Sequence, residues 1–383
     1  MGLRSKMYSV VLLSTLTGLY GCSSKDVVKF SELKPLDSTL PVSRVWARTM
    51  LNEDKRTDPM LPVAVDDQYY YWIDRFDRLQ VQDKLNGKSV WSYTAEVPIS
   101  SGIGLSHNAV AVGTRDATVI YFKKENQRLV WKKKLSSEII TAPIITDSIM
   151  IVHCVDGQLF ALDLADGHEL WRYKSKVPLL SLRGTASPVL ADETIILGLA
   201  NGKVAALNLW DGQPRWEVEV AAPSGRTELE RMVDVDARPV VKEGIVYAVS
   251  YQGRLVALQL RTGRLLWSQD MSSSSGMIVD DDNVYITDND SVIWAINRLT
   301  GRTDWKQRDL LHRELTAPIT YQQYLLVGDV TGYVHWLDRR SGLIVHRMRH
   351  DHAEIDASPV VNDGVLFLNT RGGVLDAVTL STQ

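Results

Sequence analysis

Two clusters in this 383-residue chain have side chains that could hold a metal ion: the run Asp280, Asp281, Asp282 and the triplet His350-Asp351-His352. Carboxylate oxygens suit Ca²⁺ and paired imidazoles suit Zn²⁺. Neither cluster has the spacing a site needs. The acids lack the alternation of an EF-hand loop and fall in a turn that reads TDS, ADE or NDG in other copies of a repeat. The two imidazoles can share one strand face, but no third ligand lies nearby in sequence. There is no nucleophile elbow, Gly-rich phosphate loop or acid pair of catalytic spacing. No catalytic residue, metal or cofactor is expected, and Lys132, Lys133 and Lys134 read as a solvated strand end.

The surroundings of these residues are repetitive. FALDLADGHELW (160–171), AALNLWDGQPRW (205–216), VALQLRTGRLLW (256–267) and WAINRLTGRTDW (294–305) share one frame, with Gly four residues before Trp. Copies ending at Trp91 and Trp131 keep the Trp, the second without the Gly. A further copy places His346 where Trp is expected, and Trp46 has no upstream half. These landmarks are 38 to 51 residues apart. Each unit begins with an apolar run, a turn and a β-branched run, as in TAPIITDSIMIV (141–152) and ASPVVNDGVLFL (357–368). That pattern reads as a hairpin. Four strands in about 40 to 45 residues make a propeller blade.

The expected fold is therefore all-β, an eight-bladed β-propeller over residues 44–383. The last blade runs out of chain before its final strand, and PVSRVWART around Trp46 supplies it and closes the ring. Where it is present, the Gly permits a turn with positive φ, and the Trp offers a large apolar surface with an N–H that needs a partner. Trp46, Trp91, Trp131, Trp171, Trp216, Trp267 and Trp305 are accordingly read as structural, wedged against neighbouring blades.

Residues 1–21 carry Arg4 and Lys6 and then an uncharged stretch rich in Leu and Val, the pattern of a secretory signal. The LYGCSS that follows resembles a bacterial lipobox. This resemblance implies acylation of Cys22, delivery to the outer membrane and a tether over residues 22–43. Cys154, the other cysteine, lies in an expected strand and reads as a small buried residue. Without the signal the chain has 41 basic and 46 acidic residues, a balance that does not favour nucleic acid.

If the repeats are scaffold, function is expected where they are interrupted. Two long connections do this: RYKSKVPLLSLRGTASP after Trp171 and EVEVAAPSGRTELERMVDVDARP after Trp216. Both run from the outermost strand of one blade to the innermost of the next, so strand parity brings them out on one face. Leu180, Leu182 and Arg183 are thus expected beside Asp234 and Asp236. Two exposed leucines, a guanidinium and two carboxylates suit docking of a protein partner. From pattern alone, the leucines folding back onto their own blade is an equal alternative.

The Gly and Trp frame resembles the repeats of pyrroloquinoline quinone dehydrogenases, which are enzymes. The chain lacks the vicinal Cys-Cys, the C-x-x-C-H and the insertions that roof such sites. VPLLSLRGTASP (177–188), TELERMVDVDARPVV (227–241) and DLLHRELTAPI (309–319), with the lipobox and the eight blades, resemble instead the outer-membrane protein assembly factor B family. That resemblance implies a non-enzymatic, periplasm-facing lipoprotein of the β-barrel assembly machinery (the Bam complex). Such a subunit binds the POTRA domains of the barrel-forming subunit through Leu180, Leu182, Arg183, Asp234 and Asp236, with unfolded outer-membrane proteins as further partners. The alternative is a quinone-dependent or small-ligand propeller in the periplasm; an aromatic cluster facing the channel would favour a carbohydrate or other small ligand.

Overall fold

The computed structural model describes residues 29–37, 40–49, 61–74, 76–178, 186–222, 226–227 and 232–381. Among these residues there is no helix, and the strands form eight antiparallel sheets of four. Seven sheets are continuous in sequence: blade 1 over 64–94, blade 2 over 104–134, blade 3 over 144–174, blade 4 over 189–219, blade 5 over 240–271, blade 6 over 277–307 and blade 7 over 319–349. Blade 8 takes three strands from 360–380, and its outermost strand is Val42–Thr49, paired with Val374–Leu380. The innermost strands of blades 1 and 8 meet, which closes the ring.

Burial follows strand position. Second strands such as Thr194–Gly198 are buried throughout, and third strands such as Lys203–Asn208 are buried except at their ends. Outer strands such as Pro214–Glu219 alternate. The cause is radial stacking: inner strands are covered on both faces by neighbouring sheets, which selects unbroken apolar runs, whereas the outer strand reaches water. Accordingly the core is divided into eight clusters, each shared by two adjacent blades.

The repeated Gly and Trp act across that seam. Trp171 donates its indole N–H to the Leu209 carbonyl of blade 4 at 3.0 Å, and Trp46 does the same to Lys84 of blade 1 at 2.9 Å. Gly212 has φ of +67°, and a methyl group built on it would lie 2.7 Å from Trp171 Cδ2. So the Gly of one blade receives the Trp of the preceding blade. Every pairing of third with fourth strand is also bulged at the residue before the Trp position, including Val45 in the closing strand. An extra residue there bends the outer strand and swings the indole towards its neighbour.

His346 departs from the pattern for a topological reason. Its Trp-like position on blade 7 would face the turn between the third and fourth strands of blade 8. Those two strands are the two ends of the chain, so no Gly turn exists to receive an indole. The imidazole packs edge-on against Trp336, ring centroids 6.0 Å apart.

Candidate functional site

The connection from blade 4 to blade 5 re-enters the ring as an extended segment over 232–239. Val233, Val235 and Ala237 are all buried, Val235 in the cluster shared by blades 4 and 5 and Ala237 in the one shared by blades 5 and 6. Two-residue alternation turns Asp234 and Asp236 to the other side. Backbone bonds tie the segment to both blades: the Val235 N–H donates to Leu199 O at 3.2 Å, and the Tyr251 N–H donates to Asp234 O at 2.8 Å. The second bond is a repeat feature, because the Pro98, Glu138, Arg313 and Glu354 carbonyls accept from Arg115, Val155, Val330 and Arg371 in the same way. Asp234 therefore occupies a standard scaffold position carrying a non-standard side chain.

Burial sets the electrostatics. Asp234 is only 1% exposed, and Asp236 is half-buried. Asp236 Oδ2 is shut away from solvent with no hydrogen-bond donor among the described residues. Burial, and then the charge of Asp234, push the Asp236 carboxyl up to about 8. A desolvated carboxyl lacking a donor is poised to accept a cation or N–H from outside, since such a bond would offset desolvation already incurred.

Leu180, Leu182 and Arg183 lie outside the described residues, as does Cys22. The flank of their loop, from Ala186 onward, is described. Gly198 sits between the two connections, where a methyl group would lie 2.8 Å from both Ala186 Cβ and Val235 Cγ1. The chain three residues beyond Arg183 is thus packed beside the residue between the two acids.

The other candidate clusters are engaged in local structure. Asp280 Oδ1 accepts the Asp282 and Asn283 N–H groups, its other oxygen pairs with Arg339, and Asp281 pairs with Lys242. His350 is buried against Asp376, while His352 is exposed. Trp46, Trp131, Trp171, Trp216, Trp267 and Trp305 each donate to a carbonyl of the following blade, and Trp91 packs on Phe122 of blade 2. A polar groove of about 500 Å³ between blades 1 and 2 is lined by Asp66, Tyr69, Ser106, His107 and Lys124. There Lys124 already pairs with Asp66 at 2.6 Å.

A family model described as outer membrane protein assembly factor BamB matches residues 46–307. The chain belongs to this family. Outer membrane protein assembly factor BamB of Yersinia pestis is 32% identical over 97% of both chains. That of Bordetella pertussis is 34% identical over 95% of both. The crystal structure of BamB from Moraxella catarrhalis superposes with a TM-score of 0.80 at 28% identity, covering 88% of this chain and 99% of that one. A quinohemoprotein alcohol dehydrogenase from Comamonas testosteroni matches at TM-score 0.70 with 12% identity, which shows the shared propeller fold alone. The BamB relatives are assembly factors and not enzymes.

Sequence reasoning missed a second constellation on the same face, at the repeat position of Asp234 in blade 7. Arg313 is buried there and bonds Asp329 at 2.8 Å, Thr331, and the Ser31 carbonyl at 2.8 Å. Burial alone would raise the Asp329 carboxyl, but His335, the Tyr333 N–H and Arg313 together hold it well below the usual range. The signal lies in DLLHREL (309–315), which puts Arg313 at that repeat position.

Proposed function

We propose that this chain is a non-enzymatic subunit of a β-barrel assembly machinery, anchored in the outer membrane through an acylated Cys22 and facing the periplasm. Its role is to bind the POTRA domains of the barrel-forming subunit and so assist insertion of outer-membrane proteins. Near full-length similarity to BamB relatives supports the role. The observation that carries the interface is Asp236 Oδ2, shut away from solvent without a donor among the described residues, on the segment that packs beside Ala186. An Arg or Lys of the partner would supply that donor, and truncating one member of such a pair characteristically costs several kcal/mol.

The test is co-purification of the detergent-solubilised lipoprotein with the barrel-forming subunit, comparing wild type with Arg183→Glu and Asp236→Asn. Each variant is first shown to be folded by its melting profile. Loss of partner from folded variants is expected. Full retention by both would refute the patch while leaving the assembly role, and absence of partner from wild type would refute that role.

A further inference from the structure

Residues 29–37 do not hang free of the ring. The Ser31 N–H donates to Leu311 O at 2.9 Å, and its hydroxyl donates to Asp309 O at 2.8 Å. Lys34 pairs with Asp309 at 2.7 Å, and Arg347 donates to Lys34 O at 3.2 Å. Leu33 packs into the cluster between blades 6 and 7. The Arg313 guanidinium, already fixed by Asp329, reaches the Ser31 carbonyl and lies 5.0 Å from the Phe30 ring centroid. A buried charge that spends donors on a backbone carbonyl and lies against an aromatic face makes a built latch, not a passing contact.

We infer that this latch fixes where a lipid on Cys22 leaves the ring, and so holds the edge of blades 6 and 7, on the face that carries Asp234 and Asp236, against the bilayer. The inference rests on reading Cys22 as acylated. Reach decides it. Seven residue steps separate Cys22 from Lys29, about 25 Å fully extended. Were the chain held only from Val42, twenty steps would reach roughly 70 Å, more than the ring itself, which spans on the order of 50 Å. An unlatched anchor would therefore permit either face to meet the membrane, whereas a latched one permits a single sector. The partner patch, two blades away on the same face, is then presented at a set distance from the bilayer.

The full-length acylated protein is bound to vesicles of phosphatidylethanolamine and phosphatidylglycerol containing a nitroxide-headgroup lipid. A fluorophore is placed by Arg308→Cys, beside the latch, or by Trp210→Cys, on an exposed turn of the opposite face of blade 4. Cys154 is buried and does not compete for label. Quenching is expected to be several-fold stronger at position 308, and the contrast is expected to vanish with Ser31→Pro plus Lys34→Glu, which removes the grip on Leu311 and Asp309 without touching the blades. Equal quenching in the intact protein, or a contrast that survives the latch variant, would overturn the inference. Protein that fails to float with the vesicles would overturn the acylation reading, and the orientation with it.

Discussion

Replacing Asp236 by Asn should stabilise the protein, and only at the alkaline end of its range. The carboxyl is raised from 3.8 to about 8 by burial and by Asp234. A raised acid holds its proton in the folded state after the unfolded state has lost it. Stability is therefore full below about pH 4 and falls as pH climbs through 8. Each tenfold change in proton affinity corresponds to about 1.4 kcal/mol, which sets a ceiling of roughly 6 kcal/mol. Partial exposure of the residue, with water entry and local relaxation, reduces this to about 2 kcal/mol. Asn has the same shape and no charge to bury, so Asp236→Asn recovers that amount at pH 8.5. For a chain of this size, melting should rise by roughly 3 °C. At pH 5 less than about a third of the effect has accrued. Melting of both proteins by circular dichroism at the two pH values is the assay. An equal difference at pH 5 and pH 8.5, or no gain at pH 8.5, would refute a buried, donor-poor carboxyl.

Two further predictions test the scaffold. Gly212→Ala should destabilise by more than about 3 kcal/mol, because the new methyl adds overpacking of the Trp171 ring to the cost of a left-handed backbone. Gly244→Ala, at φ of +73° with nothing within 4 Å, should cost only the backbone share of about 1–2 kcal/mol. Equal urea midpoints for the two variants would mean that the glycines serve turn geometry alone. Trp46→Ala should cost about 3–5 kcal/mol and should also raise hydrogen exchange in the closing strand Val42–Thr49 and its partner Val374–Leu380. Protection unchanged in both strands would show that the ring closes without that indole.

What the sequence determined by itself was the local, repeated geometry. The Gly-to-Trp frame fixed the period, the period implied blades, and Trp46 without an upstream half identified the closing strand. These features are legible because each copy must satisfy the same turn and the same seam, so the requirement is written many times. The long connections at 172–188 and 217–239 were visible as interruptions of that period, which pointed to the rim around Asp234 and Asp236.

The tertiary structure decided everything that depends on the neighbouring blade. Gly212 is read from sequence as a turn residue, yet its lack of a side chain also makes room for an indole from Trp171, forty-one positions earlier. The bulge before each Trp has no residue signature, since Val45, Leu170, Arg215 and Asp304 all occupy it. His346 looks like a lapse in the repeat until blade 8 is seen to lack the turn that would receive a Trp. Residues 29–37 read as tether by composition, but Arg313 and Asp309, nearly three hundred positions away, bind them to the ring. Asp234 and Asp236 read as a pair of surface acids, and only packing buries the first and leaves Oδ2 of the second without a donor among the described residues. Turn chemistry and strand alternation are set by adjacent residues, whereas desolvation is set by whatever the fold places opposite, and that information is not local in the chain.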